Sequence, residues 1–376
     1  MDKINALLGN LSVKQFLNDY WQKKPLLIRN AIPGFTGLLT PNQLLELTYT
    51  TEAQARLVTH KNRKWYLTQG PFNPNDFQKL SKFKWTILVQ GVNHTLPQAT
   101  ELLQRFNFIP HTRLDDLMVS YAQEGGGVGP HFDSYDVFLL QGMGHRRWQI
   151  SSQDDHSLIE NSPLRILQNF VAEQEWILNP GDMLYLPPHW AHNGVALDDC
   201  MTYSVGFRTP SYQELGEQFL IFQQDNLKLE GMYADPELSY QSHPSEISEV
   251  MLKKVIDIIS QIKCNNKDIS TFLGCYLSEP KPHVFFDPPK KPVTRQRFMM
   301  MFQQKGISLD LKTQMLCYRN CLYMNGEAHF VNRESYMILR ELADYRQLIT
   351  SKKISTETLD ILYQWYQDGY IVPNNA

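Results

Sequence analysis

Two metal-ligating side chains, His131 and Asp133, stand two residues apart, and a third is available downstream at His189 or His192. On an extended chain, residues i and i+2 point to one face, so this spacing presents an imidazole and a carboxylate to a single ion. Short motifs of this kind recur by chance, and an isolated histidine is usually only hydrogen-bonded, so the surroundings must carry the inference. Gly125, Gly126, Gly127 and Gly129 allow the backbone to bend sharply or approach a ligand just before the pair, and Pro130 steers Gly129 away from helix. Downstream, Pro180-Gly181-Asp182 reads as a turn and Met183 to Leu186 as an apolar strand. Pro187-Pro188-His189-Trp190-Ala191-His192 then brings histidine to a second rigid edge. Spacing does not choose between His189 and His192. Two histidines and a carboxylate on a β scaffold form the facial triad that leaves open positions on Fe(II) for a co-substrate and dioxygen. Such a site also needs a cation for a dicarboxylate. Arg146, past the Gly142-Met143-Gly144 turn, offers the bidentate fork, while Arg147 faces the other way on a strand.

The elements that must hold these residues are mostly β. Short runs of Val, Ile, Leu, Phe, Tyr and Trp, broken by Gly, Pro, Asn and Asp, occupy residues 54–208 and predict a sandwich or barrel. Ahead of it, Ser12 and Gln15 form a capping-box pattern opening a helix through Phe16, Leu17, Tyr20 and Trp21 that Pro25 should end. A short strand at Leu26-Leu27-Ile28 and a helix from Pro41 to Leu47 follow. After Pro210, helical spacing recurs at Leu215, Phe219, Leu220 and Phe222, and again at Ile247, Val250, Met251, Val255, Ile258 and Ile262. These stripes fit either packing of the two helices on each other or a dimer interface. Pro280, Pro282, Pro288, Pro289 and Pro292 mark a linker, and the basic stretch Lys281, Lys290, Lys291, Arg295 and Arg297, with Phe285 and Phe286, reads as a solvated linker ahead of the alternative, a contact for a polyanion. Beyond it, a helix at 294–305, a strand at 315–323, a turn at Asn325-Gly326 and two further helices predict a small α+β module.

With 376 residues, 42% hydrophobic, 20% charged and a formal charge of -3, the chain is long enough for several domains, and its surface as a whole is no polyanion footprint. No apolar run approaches the ~20 residues that span a bilayer. The five scattered cysteines suit a reducing compartment, and Met1 to Asn5 lack the pattern of a leader, so the expected location is the cytoplasm.

Several stretches together resemble a known family over nearly the whole chain. They are residues 20–28, residues 85–94, Leu114-Asp115-Asp116-Leu117-Met118, residues 125–141, residues 180–188, His192, and Tyr203-Ser204-Val205-Gly206-Phe207-Arg208. The family is the JmjC-type, cupin-fold 2-oxoglutarate oxygenases, and within it the bacterial ribosomal oxygenases. The resemblance implies a mainly β catalytic core, a double-stranded β-helix or jelly roll, at residues 1–208. It implies a helical dimerisation region at 209–279, hence a homodimer, and a winged-helix-like α+β domain at 280–376. It implies Fe(II), with 2-oxoglutarate and O2 as co-substrates, His131, Asp133 and His192 as iron ligands, and Arg146 on the distal carboxylate of 2-oxoglutarate. The implied reaction is oxidative decarboxylation of 2-oxoglutarate to succinate and carbon dioxide, coupled to hydroxylation of C3 of an arginine in large-subunit ribosomal protein L-sixteen. Asp116 is expected beside the guanidinium, with Met118 and Tyr135 lining its approach. Ala122 and Thr202 depart from the serine and asparagine that a relative carries near the co-substrate. Two rival readings remain. One is an oxygenase of the same fold acting on histidine or lysine, and the other is a silent scaffold for ribosomal protein or RNA, which succinate production would exclude.

Overall fold

The structure, a computed structural model, describes residues 7–374 except 79, 81–83, 263 and 350–353; Met1 to Asn5, on which the expectation about a leader rests, lie outside the described residues. Contacts divide the chain into two compact units, one made of residues 1–209, 281–313 and 361–376, the other of residues 210–280 and 314–360.

The first unit opens with α1 (Val13–Asp19), where Ser12 and Gln15 make both bonds of the capping box. This helix stops at the Tyr20 cap, several residues before Pro25, and the chain turns through Gln22 in the left-handed region. The short strand β1 (Leu26–Ile28) and α2 (Pro41–Leu47) fall where predicted, and Thr40 and Gln43 form a second capping box. Strands β2 (Ala55–Lys61) and β3 (Lys64–Gln69), helix α3 (Pro74–Gln78), strand β4 (Lys84–Val89) and helix α4 (Pro97–Gln104) lead into the core strands. These are β5 (Leu114–Ala122), β6 (Val137–Gln141), β7 (Arg146–Ser151), β8 (Gln174–Leu178), β9 (Met183–Leu186), β10 (Ala191–Ala196) and β11 (Cys200–Phe207). An eight-stranded sheet runs β1-β9-β6-β11-β5-β4-β2-β3, and a second sheet runs β10-β7-β8; every pairing between these strands is antiparallel. This is the expected jelly roll.

Alternation along the strands separates a dry side from a polar one. On β5, Leu117, Val119 and Tyr121 join the main core with Met201, Tyr203, Val205 and Phe207 of β11 and with Phe16 and Leu44 of the helices. The opposite face of β5 carries Asp116, Met118, Ser120 and Ala122, registered against Ser204, Thr202 and Cys200 of β11. Strand β9, and β6 up to Leu140, are apolar because both faces are covered. Phe138, Leu140, Met183 and Tyr185 pack in the main core, and Val137, Leu139, Leu184 and Leu186 pack against Trp148 and Ile150 of β7.

Two buried acids fasten the N-terminal segment to the barrel. Asp136 accepts from the Tyr185 hydroxyl at 2.6 Å and Gln22 Nε2 at 2.9 Å. Asp182 accepts from the Asn30 N–H at 2.8 Å, the Asn179 N–H at 3.0 Å and Arg29 at 2.7 Å. Burial opposes the Asp182 charge, but these donors outweigh it and hold the carboxyl below its ordinary pKa. A depressed folded-state pKa stabilises the fold above the unfolded value, near 3.9, and that stabilisation is lost as pH falls through the lower folded value. Asp182→Asn should therefore cost about 1–3 kcal/mol at pH 7 in denaturant unfolding. It should also flatten the acid limb of stability against pH, and an unchanged limb would refute the assignment.

In the second unit, α5 (Tyr212–Asn226) packs through Phe219 and Phe222 on Phe272 of α7 (Asn266–Ser278) rather than on α6 (Glu249–Ile259). The α6 stripe therefore stays open, with Val250, Val255, Ile256 and Ile259 exposed. Helix α7 falls in the region 209–279 expected to be helical, although no apolar stripe was read in it, and it lies tightly on a small sheet, where a Cβ at Gly274 would meet the Tyr323 ring at 2.4 Å. The strand expected at 315–323 is two strands, Met315–Tyr318 and Cys321–Met324, with Arg319 taking the left-handed turn between them; the hairpin at Asn325-Gly326 forms as expected. No helix among the described residues is long and apolar enough to cross a membrane.

Candidate metal and co-substrate site

His131 and His192 face each other across an isolated antiparallel bridge, the His131 N–H donating to the His192 carbonyl at 2.9 Å and the reverse bond at 2.7 Å. The approach depends on glycine. A Cβ at Gly127 would fall 2.4 Å from the Gly194 carbonyl, and Gly129 sits at φ +79 immediately before Pro130. Neither His131 nor Asp133 belongs to a regular strand, so their shared direction comes from the bridge and the extended chain beside it. The ring centroids of His131 and His192 are 4.2 Å apart, His192 Nε2 is 3.7 Å from the Asp133 carboxylate, and candidate ligand atoms from all three residues lie within 4.8 Å of one another.

Both rings are oriented from behind. His131 Nδ1 lies 2.9 Å from the Gly129 carbonyl and His192 Nδ1 2.9 Å from the Trp190 carbonyl, so Nδ1 carries the proton and Nε2 is left free to ligate. Burial, helped by the neighbouring His131, lowers the His192 pKa to about 4, which keeps the imidazole neutral and able to ligate at neutral pH. His189 is not part of this cluster. It turns away at φ +66, and its ring stacks toward His156 at 6.4 Å.

Register sets the second half of the site. Across β10 and β7, His192 pairs with Ile150, Gly194 with Trp148 and Ala196 with Arg146, and directly opposed residues share a face. Arg146 therefore looks into the barrel on the His192 side, and Arg147 points outward beside Ile177. Arg146 is 5% exposed; its Nη1 donates to the Ser120 hydroxyl at 3.2 Å, while its Nε and Nη2 have no hydrogen-bond partner among the described residues. A buried guanidinium with two idle donors lacks an anion. Ser120 and Trp148, whose Nε1 is buried with no hydrogen-bond partner among the described residues, were not singled out from sequence. Ser120 could have been, because it lies between Met118 and Ala122 on the polar face of β5. At the two departures, Ala122 packs with Ala196 and Cys200, and Thr202 donates to Gln141 at 3.0 Å.

Asp116 is buried at the start of that face, and Tyr135 lies close enough to both Asp133 and Asp116 to feel their charges. Burial, then Asp133 and Asp116, raise the Tyr135 pKa, so the phenol stays protonated beside both carboxylates. One expectation fails here. Lys281 is not a solvated linker residue, because its ammonium lies 3.1 Å from Asp115 and 3.2 Å from Asp116.

A jelly roll holding a His/Asp/His cluster beside a buried, anion-seeking arginine defines a 2-oxoglutarate oxygenase architecture. A JmjC domain model matches residues 101–215, and a ROXA-like winged helix model matches residues 258–371, which gives the expected C-terminal winged helix. The chain is 32% identical over 321 residues to the ribosomal protein uL16 3-hydroxylase of Escherichia coli (strain K12), covering 84% of this chain and 85% of that protein. It is 46% identical over 216 residues to a probable ribosomal oxygenase of Haemophilus influenzae, covering 56% of this chain and 53% of that protein. The solved structure of YcfD, a ribosomal oxygenase from Escherichia coli, in complex with cobalt and 2-oxoglutarate superposes with a TM-score of 0.82 at 30% identity, covering 96% of this chain and 98% of that one. The chain belongs to the JmjC ribosomal oxygenase family.

Proposed function

We propose that this protein is an Fe(II)- and 2-oxoglutarate-dependent hydroxylase that oxidises C3 of an arginine in large-subunit ribosomal protein uL16, the substrate named for its Escherichia coli relative. The observation that carries the reading is the buried Arg146, with two unpartnered donors, in the barrel that holds the His131, Asp133 and His192 cluster. The donor set fits Fe(II), with His131, Asp133 and His192 as ligands, and Arg146 fits the distal carboxylate of 2-oxoglutarate. Bound there, iron with 2-oxoglutarate and dioxygen supplies the hydroxylating oxidant, at the cost of one 2-oxoglutarate converted to succinate and carbon dioxide.

The protein's own residues aim that chemistry. The Gly129 and Trp190 carbonyls hold the imidazole edges inward. Ser120 fixes one arm of Arg146 and leaves the others for the co-substrate. Val137, Leu139, Leu184 and Leu186 keep one wall dry. On the substrate side, Asp116 would pair with the guanidinium, and Met118 and Tyr135 would line its approach, orienting C3 for the oxidation. A carboxylate and a planar fork match bidentately, which favours arginine over lysine.

The three-part division at 1–208, 209–279 and 280–376 belongs to the same reading. So does a homodimer formed through the helical region, supported by the exposed apolar residues of α6. The protein works in the cytoplasm, where ribosomal proteins are made. Direct nucleic-acid contact is not needed for the activity.

Comparing ribosomal proteins from cells with and without this chain by mass spectrometry should reveal an arginine in uL16 that is about 16 Da heavier only when the chain is present. Its absence, or a heavier histidine or demethylated lysine instead, would sink the assignment. In the purified enzyme, Asp116→Asn should weaken hydroxylation of an arginine peptide by roughly tenfold or more while uncoupled succinate formation continues. A lysine at the target position should be a poor substitute. Equal hydroxylation of both peptides would refute the guanidinium pocket.

A further inference from the structure

The site proposed for the substrate's cation is already held by a cation of the chain itself. Asp116 is almost fully buried, and a buried carboxylate needs a counter-charge. Lys281 provides it at 3.2 Å and reaches Asp115 equally well at 3.1 Å; Asp115 is also 3.4 Å from Arg208 Nε. Burial works against the ammonium, but the carboxylates of Asp116 and Asp115 outweigh it and raise the Lys281 pKa, so it is charged at neutral pH. Two acids and two cations already balance. A guanidinium entering at Asp116 would add a third positive charge unless one cation gave way.

Lys281 is the one able to do so. Its side chain is 32% exposed, and its second carboxylate partner lies alongside. The following segment is anchored independently, with His283 3.0 Å from Gln54 and the Phe285 carbonyl accepting from Lys312 at 2.8 Å, so the ammonium can shift while the backbone stays. We infer that Lys281 is a resident stand-in for the substrate cation: it satisfies Asp116 in the empty site, and the substrate's guanidinium binds by displacing it onto Asp115. The inference rests on the reading of Asp116 as the guanidinium partner. Lys281 thus tempers substrate affinity, because part of the energy of the new ion pair is spent in breaking the old one.

The test is peptide binding by fluorescence polarisation to the full chain with Fe(II) and 2-oxoglutarate under argon, using a uL16 peptide carrying arginine and the same peptide carrying neutral citrulline. Lys281→Met should tighten the arginine peptide by about three- to tenfold and move the citrulline peptide by less than about twofold. Lys281→Arg, a stronger competitor for paired carboxylates, should weaken the arginine peptide. Asp115→Asn should weaken it as well, because it removes the alternative partner for the displaced ammonium, and that effect should largely vanish in the Lys281→Met background. Simple loss of nearby negative charge would instead give additive effects. Unchanged or weaker arginine binding in Lys281→Met, or equal tightening of both peptides, would overturn the inference. Should Lys281→Met fail to fold by thermal melt, the Lys281→Arg and Asp115→Asn proteins decide, and unchanged or tighter binding in either refutes it. Wild-type hydroxylation is read first by mass spectrometry. No hydroxylated arginine sinks the parent reading and this one together, whereas hydroxylation with the wrong Lys281 result sinks only this one.

Discussion

His192→Ala should abolish succinate formation and metal binding while leaving a folded protein. The imidazole is neutral, its Nδ1 is tied to the Trp190 carbonyl, and its Nε2 faces Asp133 across 3.7 Å. On the proposed assignment, losing it removes a ligand rather than the support behind one, so the loss should exceed the roughly 10–100-fold typical of a supporting partner. The fold should survive because the two bonds between His131 and His192 are made by backbone atoms that alanine retains. His131→Ala and Asp133→Ala should behave alike. Cobalt titration followed by visible absorption reads binding without requiring turnover, and circular dichroism reads the fold. His189→Ala is the control, because that ring points toward His156. Metal loss in His189→Ala with retention in His192→Ala would show that the wrong histidine had been assigned to the site.

The choice between those two histidines marks where the sequence stopped being legible. Period-two alternation placed Arg146 and Arg147 on opposite faces, and the register across β10 and β7 agrees. The capping pattern at Ser12 and Gln15 gave α1 its start, because a cap is a local hydrogen bond written within a few residues. Alternation could not separate His189 from His192, since both follow the same prolines and the difference lies in a left-handed turn at His189. Ser120 and Lys281 are harder still. The role of Ser120 depends on a strand brought beside Arg146 from elsewhere in the chain, and that of Lys281 on a contact between residues 165 positions apart. The α6 stripe looks the same whether it is buried within the chain or left open, so only its position in the fold reveals that α5 packs on α7 instead.

Arg146→Met should raise the 2-oxoglutarate requirement by roughly ten- to a hundredfold, since a charge-assisted pair with a carboxylate contributes about 1.5–3 kcal/mol. Arg147→Ala should change it by less than about threefold, because that side chain leaves the barrel on the other face. The stability of the ligand-free protein gives a second, independent reading. Arg146 is 5% exposed, with one bond to Ser120 and two idle donors, so the empty site holds a charge whose desolvation is poorly offset. Replacing it with an apolar side chain of similar length should leave unfolding by denaturant unchanged or shift it to higher denaturant, the opposite of most substitutions at buried positions. Addition of 2-oxoglutarate with metal should stabilise the wild type by RT ln(1 + [L]/Kd), about 2.7 kcal/mol at a hundredfold excess over Kd, and stabilise the Arg146→Met protein far less. A variant that lost stability when empty yet kept the full ligand-induced gain would show that Arg146 holds the barrel together rather than the co-substrate.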